Sequence, residues 1–253
     1  MTMKNNYSYK LCVAPMMGHT DLHFRYLLRL ISKKTMLYTE MVASNSILHN
    51  KSKKLNKLER NKDNPVGFQL GGDNPEQLAE CAKIVESHGY NEINLNIGCP
   101  SKRAQSGNFG ACLFSQPGLV AKCADNISKS TSLPITVKTR LGIDNLDNIN
   151  YLKDFINTVS SAGVETFHLH ARKAILSGLT PKQNLNIPKL NYDMVYDIKK
   201  ENSDLEIIIN GGITKIEEIN NHLKFCDGVM IGRSIYQNPY FLTEIEKEIF
   251  KTQ

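Results

Sequence analysis

Short aliphatic or β-branched runs alternate with helical patterns along the whole chain, and this repetition constrains the fold more than any single motif. Leu11 to Ala14 precedes a helical pattern over about 21–31, which Thr20 or Asp21 can cap. The apolar run over 36–41 leads into a polar, lysine-rich connection through 51–62. The run over 65–70 leads into a helix over 75–87 with proline in its first turn. Further runs fall at 93–97, 135–140, 166–170, 207–210 and 228–231. Helical spacing fills 117–129, 148–162, 192–200, 215–225 and 239–250. Roughly eight alternations predict an α/β chain closed into a (β/α)8 TIM barrel. An open doubly wound sheet fits less well, since it needs fewer strands and a G-x-G-x-x-G turn that this sequence lacks. Residues 1–253 are expected to form one domain.

Composition narrows the class. Hydrophobic content of 41% and charged content of 22% suit a soluble globular enzyme. The polar start of the chain is unlike a signal peptide, and no apolar run is long enough to span a bilayer, so a cytoplasmic protein with no membrane partner is expected. The six cysteines form no CxxC pairs, which predicts reduced thiols and neither a zinc site nor a disulfide framework. A formal charge of +6 is compatible with a polyanionic partner, although surplus lysine on solvated helix faces produces the same excess.

In a parallel barrel, side chains at the carboxyl ends of the strands converge on one cavity. Here those positions hold Gln69, Asn96 with Cys99, Lys138 with Arg140, His170 and Asn210. Cys99 lies between Gly98 and Pro100, where the strand over 93–97 stops, and a thiol there can act as acid, base or nucleophile. A free cysteine can equally be a small buried hydrophobe. The glycine-punctuated stretch over 102–110 is expected to be an irregular, mobile flap. Lys138 on a β-branched strand is costly to bury unpaired, so it meets an anionic or electron-rich ligand, or else a salt bridge to Glu40. Gly211-Gly212 after Asn210, and Gly232 before Arg233, either make tight turns or cup a phosphate. His170 either contacts a ligand or is a satisfied core residue; a zinc site with His168 lacks further spaced ligands.

These segments resemble the tRNA-dihydrouridine synthases. The matching residues are Ala14-Pro15-Met16 with Thr20-Asp21, Tyr38 to Met41, Gln69-Leu70-Gly71, Asn94 to Ser101, Val137 to Gly142, His170-Ala171-Arg172 and Asn210 to Ile213, in the family's order. The stretches over 107–113 and 176–179 are similar to the A-type bacterial subfamily (DusA), which acts on uridines of the tRNA D-loop. The resemblance implies a flavin-binding barrel enzyme that reduces the uracil C5–C6 double bond with FMN, NADPH refilling the flavin. Cys99 then matches the proton donor to C5. Pro15, Met16 and Met17 are expected along the flavin, Gln69 and Lys138 at its pyrimidine edge, and His170, Asn210, Gly211, Gly212, Gly232 and Arg233 on its phosphate side. Asn96, Arg140, Arg172 and Lys182 are expected to contact the tRNA substrate or phosphate. No metal is implied, and a monomer is expected. Two departures stand out. Leu185 occupies a position where the subfamily suggests a cation, and the chain stops at Gln253, where the family continues into a helical tRNA-gripping domain. The expectation is therefore a catalytic barrel alone. Two alternatives remain: a flavin barrel reducing a free pyrimidine or enone, and a flavin- or RNA-binding module with little turnover.

Overall fold

The structure is a computed structural model and describes residues 7–49, 59 and 63–251. Of the polar connection expected over 51–62, only Glu59 lies within the described residues. Nine strands are described: β1 (Leu11–Val13), β2 (Leu37–Tyr38), β3 (Val42–Ala43), β4 (Val66–Gly71), β5 (Glu92–Ile97), β6 (Ile135–Arg140), β7 (Thr166–His170), β8 (Glu206–Asn210) and β9 (Gly228–Ile231). All pair in parallel, in the order β1-β9-β8-β7-β6-β5-β4-β2, and β3 also pairs with β4. The ring closes where the Val13 N–H donates to Met36 O at 2.9 Å and the Met36 N–H to Leu11 O at 3.0 Å. With β2 and β3 counted as one interrupted stave, this is an eight-staved (β/α)8 barrel.

The interruption departs from the continuous strand expected over 36–41, and one hydroxyl explains it. Thr39 Oγ1, rather than a main-chain carbonyl, accepts the Gln69 N–H at 3.0 Å, so the ladder breaks between β2 and β3.

The helices α1 (Leu22–Ile31), α2 (Ser44–Leu48) and α3 (Pro75–Ser87) are followed by a short α4 (Lys102–Ser106) and by α5 (Pro117–Ser128) and α6 (Ile149–Ser160). Then come α7 (Tyr192–Glu201), α8 (Ile216–His222), α9 (Arg233–Gln237) and α10 (Phe241–Phe250). Side-chain caps start several of them: Asp21, Asn74, Asn148 and Asn191 each accept a first-turn N–H. None of the helices among the described residues is long and apolar enough to cross a membrane.

Period-two alternation sorts the strand residues. Ile93, Leu95 and Ile97 join Phe68, Leu70, Val137, Phe167 and Leu169 in the large apolar core that the helices cover. A second, smaller cluster of Tyr9, Cys12, Ala14, Met36, Tyr38, Ile208 and Met230 packs apart from it. Beside that cluster, Glu92, Asn94, Gln69 and Thr136 bond one another instead of water. The barrel is thus lined by apolar groups toward β1, β8 and β9 and by polar ones toward β4, β5 and β6.

The stretch expected as an irregular flap is ordered differently. Ser101 Oγ accepts the Ala104 N–H at 3.2 Å and starts α4, Ala104 is fully buried, and Gln105 Nε2 donates to Pro100 O and Leu176 O at 3.0 Å each. Asn108 turns the chain at φ 50°, and a 3-10 helix over Gly110–Ser115 follows. A five-residue helix held by one cap and one buried methyl leaves little periodicity to read.

Candidate active site

Strand register brings the expected residues together at the carboxyl end of the barrel. Asn96 pairs with Lys138, Arg140 with His170, and His170 with Asn210. A cavity of about 350 Å³ opens there, and its lining includes Pro15, Met16, Lys138, His170, Asn210, Gly211, Gly212, Gly232 and Arg233. The other residues expected at the site, Met17, Gln69, Asn96, Cys99, Arg140, Arg172 and Lys182, stand outside this lining. Met17 is 56% exposed, Gln69 is buried against Asn94 and Asn96, and Cys99 is half-buried.

The cavity is cationic. Lys138 Nζ donates to Asn210 Oδ1 at 3.1 Å, and Asn210 is oriented in turn by its own bond to Met230 O at 2.7 Å. Burial and then the neighbouring Arg140 bring Lys138 down to about 7, and the nearby Cys99 thiol opposes that shift. The salt bridge to Glu40 is not formed; Glu40 accepts the Gly18 N–H instead. His170 is held well below its ordinary value by burial and then by Arg140, Lys138, Arg172 and Arg233, so its imidazole is neutral. Among the described residues that line the cavity there is no Asp or Glu. Lys138 and Arg233 line the cavity without a carboxylate, and Arg140 and Arg172 add their charge near His170, which makes a site for an anion.

Arg172 sharpens that reading. Its Nη1 donates to Pro188 O and, at 3.3 Å, to Asn186 O, while its buried Nε has no acceptor. Arg233 lies alongside, bonded to Asn186 Oδ1 at 3.1 Å. The turn after β8, which lines the cavity, takes its path against His170 and Leu190 only because it carries glycine. Gly211 has φ +117°, and a Cβ there would stand 2.7 Å from His170 Cδ2. Gly212 has φ +72°, and its Cβ would stand 2.6 Å from Leu190 Cδ1.

Cys99 sits on a tightly held turn. Asn96 Oδ1 accepts the Gly98 N–H at 3.1 Å and the Cys99 N–H at 2.9 Å, and Cys99 O accepts the Ala111 N–H at 2.9 Å. The thiol donates to Ser101 Oγ at 3.3 Å. Arg140, expected to meet substrate or phosphate, is 4% exposed and donates to Gly98 O at 3.0 Å, Asn184 O at 3.0 Å and Lys173 O at 3.2 Å. It ties the Cys99 turn to the loop after β7. Lys182 is exposed at the start of a 3-10 helix over Gln183–Leu185, and Leu185 itself reaches the cavity lining.

A half-buried thiol beside a cationic, glycine-rimmed cavity can deliver a proton to something bound there. Comparison with known proteins then decides the family, for the dihydrouridine synthase (Dus) family model matches residues 12–253. This chain belongs to the dihydrouridine synthase family. It is 51% identical over 240 residues to a Synechocystis protein named tRNA-dihydrouridine(20/20a) synthase, a match covering 95% of this chain and 72% of that one. Proteins of the same name from Vibrio vulnificus and Escherichia coli are 50% and 52% identical, over 98% and 96% of this chain and 76% and 73% of their own lengths.

Dihydrouridine synthases are flavin-dependent oxidoreductases, and the site suits a flavin nucleotide. The orphaned Arg172 Nε, Arg233 and the glycine cradle suit a phosphate, while Pro15, Met16 and Lys138 line the same cavity. Sequence reasoning missed the polar interior below this site. Glu92 is fully buried, and so are Asn94 and His168. Glu92, Asn94 and Asn96 recur at every second position, and that spacing was the available signal.

Proposed function

We propose that this chain is a cytoplasmic, FMN-dependent tRNA-dihydrouridine synthase of the A type, acting as a monomer with residues 1–253 as one catalytic domain. Its substrate is a D-loop uridine of tRNA at position 20 or 20a, by analogy with the relatives' names. The observation that carries the reading is the convergence of Lys138, His170, Arg233 and the Gly211–Gly212 turn on one cavity, with the charges of Arg172 and Arg140 close to His170.

When bound, FMN supplies a hydride to C6 of the uracil and is refilled by NADPH. Cys99 gives its thiol proton to C5, and the turn held by Asn96 and Arg140 keeps the sulfur in place. Lys138, held by its bond to Asn210, would stabilise negative charge on the pyrimidine edge of the cofactor. Arg172, Arg233 and the turns at Gly211–Gly212 and Gly232 hold the phosphate, with a neutral His170 as a hydrogen-bonding partner. Pro15 and Met16 give the ring an apolar wall, and Gln69 with Asn96 addresses polar edges. Lys182 contacts the tRNA backbone. The uridine must leave its stack to reach this depth, and the net charge of +6 adds a salt-sensitive share of affinity.

The test is incubation of the FMN-loaded protein and NADPH with tRNA transcribed without modifications, followed by mass spectrometry of nuclease fragments. The reading expects two added hydrogens in the fragment holding positions 20 and 20a. Unchanged tRNA alongside reduction of free uracil would favour a pyrimidine reductase instead.

A further inference from the structure

A directed run of side-chain hydrogen bonds crosses the barrel interior. Because Asn96 Oδ1 accepts the Gly98 and Cys99 N–H groups, its Nδ2 turns to Gln69 Oε1 at 2.8 Å. Gln69 Nε2 donates to Asn94 Oδ1 at 2.7 Å, Asn94 Nδ2 to Thr136 Oγ1 at 2.8 Å, and the Thr136 hydroxyl to Glu92 Oε1 at 2.9 Å. The other carboxyl oxygen, Oε2, accepts from the Tyr9 hydroxyl at 2.5 Å and the Tyr7 hydroxyl at 3.3 Å.

The two ends of this run impose one direction on it. Main-chain N–H groups can only donate, and a carboxylate can only accept. Reversing either Gln69 or Asn94 would set donor against donor or acceptor against acceptor in a buried place, where an unmet polar group is costly. Capacity is left over: Gln69 keeps one unspent N–H and one further lone pair, and Asn96, whose Oδ1 already accepts two main-chain N–H groups, keeps one unspent N–H. Which of these groups a ligand reaching the wall formed by β4 and β5 would meet follows from the direction of the run.

We propose that Glu92 is a positioning residue for the reaction: acting through Thr136 and Asn94 from one end, while the main-chain donors of the Cys99 turn act through Asn96 from the other, it holds the face that the Gln69 amide presents to the cofactor and the base. The inference rests on the reading above that a flavin and a uridine bind at this end of the barrel. The purpose of an acid at the barrel floor is otherwise hard to see. Glu92 is fully buried, and the residues on either side of it in the interior, Thr136 and Tyr9, could be satisfied by a neutral group. Burial raises the Glu92 carboxyl to about 7, and in its ionised form it accepts on both oxygens, closing at the barrel floor the run that the main-chain N–H groups open at the Cys99 turn.

Thr136 is the place to cut. Thr136→Val keeps the side-chain shape and leaves Glu92 bonded to both tyrosines, while Thr136→Ser keeps the hydroxyl. Affinity of the apoprotein for FMN, read by quenching of flavin fluorescence, reports the effect without turnover. Thr136→Val should weaken FMN about tenfold, the effect of one mismatched polar contact, and Thr136→Ser should stay within about twofold of wild type. Wild-type affinity in Thr136→Val, or equal losses in the two variants, would overturn the proposal. If Thr136→Val does not fold, Glu92 decides. Glu92→Gln can still offer an oxygen to Thr136 and should bind FMN nearly as wild type, whereas Glu92→Met cannot and should lose affinity; equal affinities would overturn it. Wild-type inactivity on tRNA with these FMN differences intact would sink the tRNA reading and leave the positioning role standing.

Discussion

Replacing Arg140 with methionine keeps most of the aliphatic stem and removes the guanidinium that joins three loops. Gly98 O, Lys173 O and Asn184 O would each lose a charge-assisted bond of 3.0 to 3.2 Å. Bonds to a charged group contribute roughly 1.5–3 kcal/mol each, so the gross loss is roughly 4–9 kcal/mol. Part is offset because the buried charge goes too; burial, its largest cause, already lowers Arg140 to about 10. Taking non-additivity into account, a net loss of about 3 kcal/mol follows, which for a chain of this size lowers Tm by about 6–12 °C. Arg140→Lys can restore only one of the three bonds and should fall between. Thermal unfolding followed by circular dichroism, without FMN, measures this directly. A Tm for Arg140→Met within about 2 °C of wild type would refute the clamp and return Arg140 to the role of a ligand contact.

Lys138 gives a pH prediction with a defined sign. Its value falls from 10.5 to about 7 on folding, so the unfolded chain binds the proton more tightly and this residue's contribution makes stability rise between about pH 7 and 10. Affinity for FMN should move the other way, falling above about pH 7 as the ammonium is lost, and Lys138→Met should flatten that part of the titration. An identical pH profile in the methionine variant would remove Lys138 from the cofactor site. At the glycine cradle, Gly211→Ala drives a Cβ to 2.7 Å from the His170 ring at φ +117°, and a cost of roughly 1–3 kcal/mol should appear as at least a fewfold loss of FMN affinity. Unaltered binding by equilibrium dialysis would mean that the cradle does not hold the phosphate.

How much of this was legible beforehand depended on how local the cause was. The helix over 75–87 and the strands over 135–140 and 166–170 appear where periodicity placed them, because Asn74 and Pro75 open the helix and short runs of β-branched, aromatic or apolar residues make the strands. The stave over 36–41 broke at Thr39, whose hydroxyl stands in for a carbonyl on behalf of Gln69, 30 residues away. Arg140 was visible as a strand-end cation, but its partners lie 33 to 44 residues off, so nothing local separates a clamp from a ligand contact. The apolar half of the alternation in β5, Ile93, Leu95 and Ile97, was read as a buried strand. The polar half, Glu92, Asn94 and Asn96, shows its purpose only once Gln69 and Thr136 are brought beside it by the neighbouring staves.

The central claim is that Cys99 protonates a tRNA uridine that takes its hydride from a flavin in this barrel. Visible absorption of the FMN-loaded protein tests it, with anaerobic NADPH added first and unmodified tRNA second, in wild type and in Cys99→Ala. The account predicts that NADPH bleaches the flavin bands in both proteins, since Cys99 lies outside the lining of the cationic cavity. Adding tRNA should then restore the bands in wild type, and in Cys99→Ala only at a rate about 100-fold slower or less, the usual contribution of a positioned acid. Equal recovery in the two proteins would contradict the role of Cys99, and no recovery in wild type would contradict tRNA as the substrate.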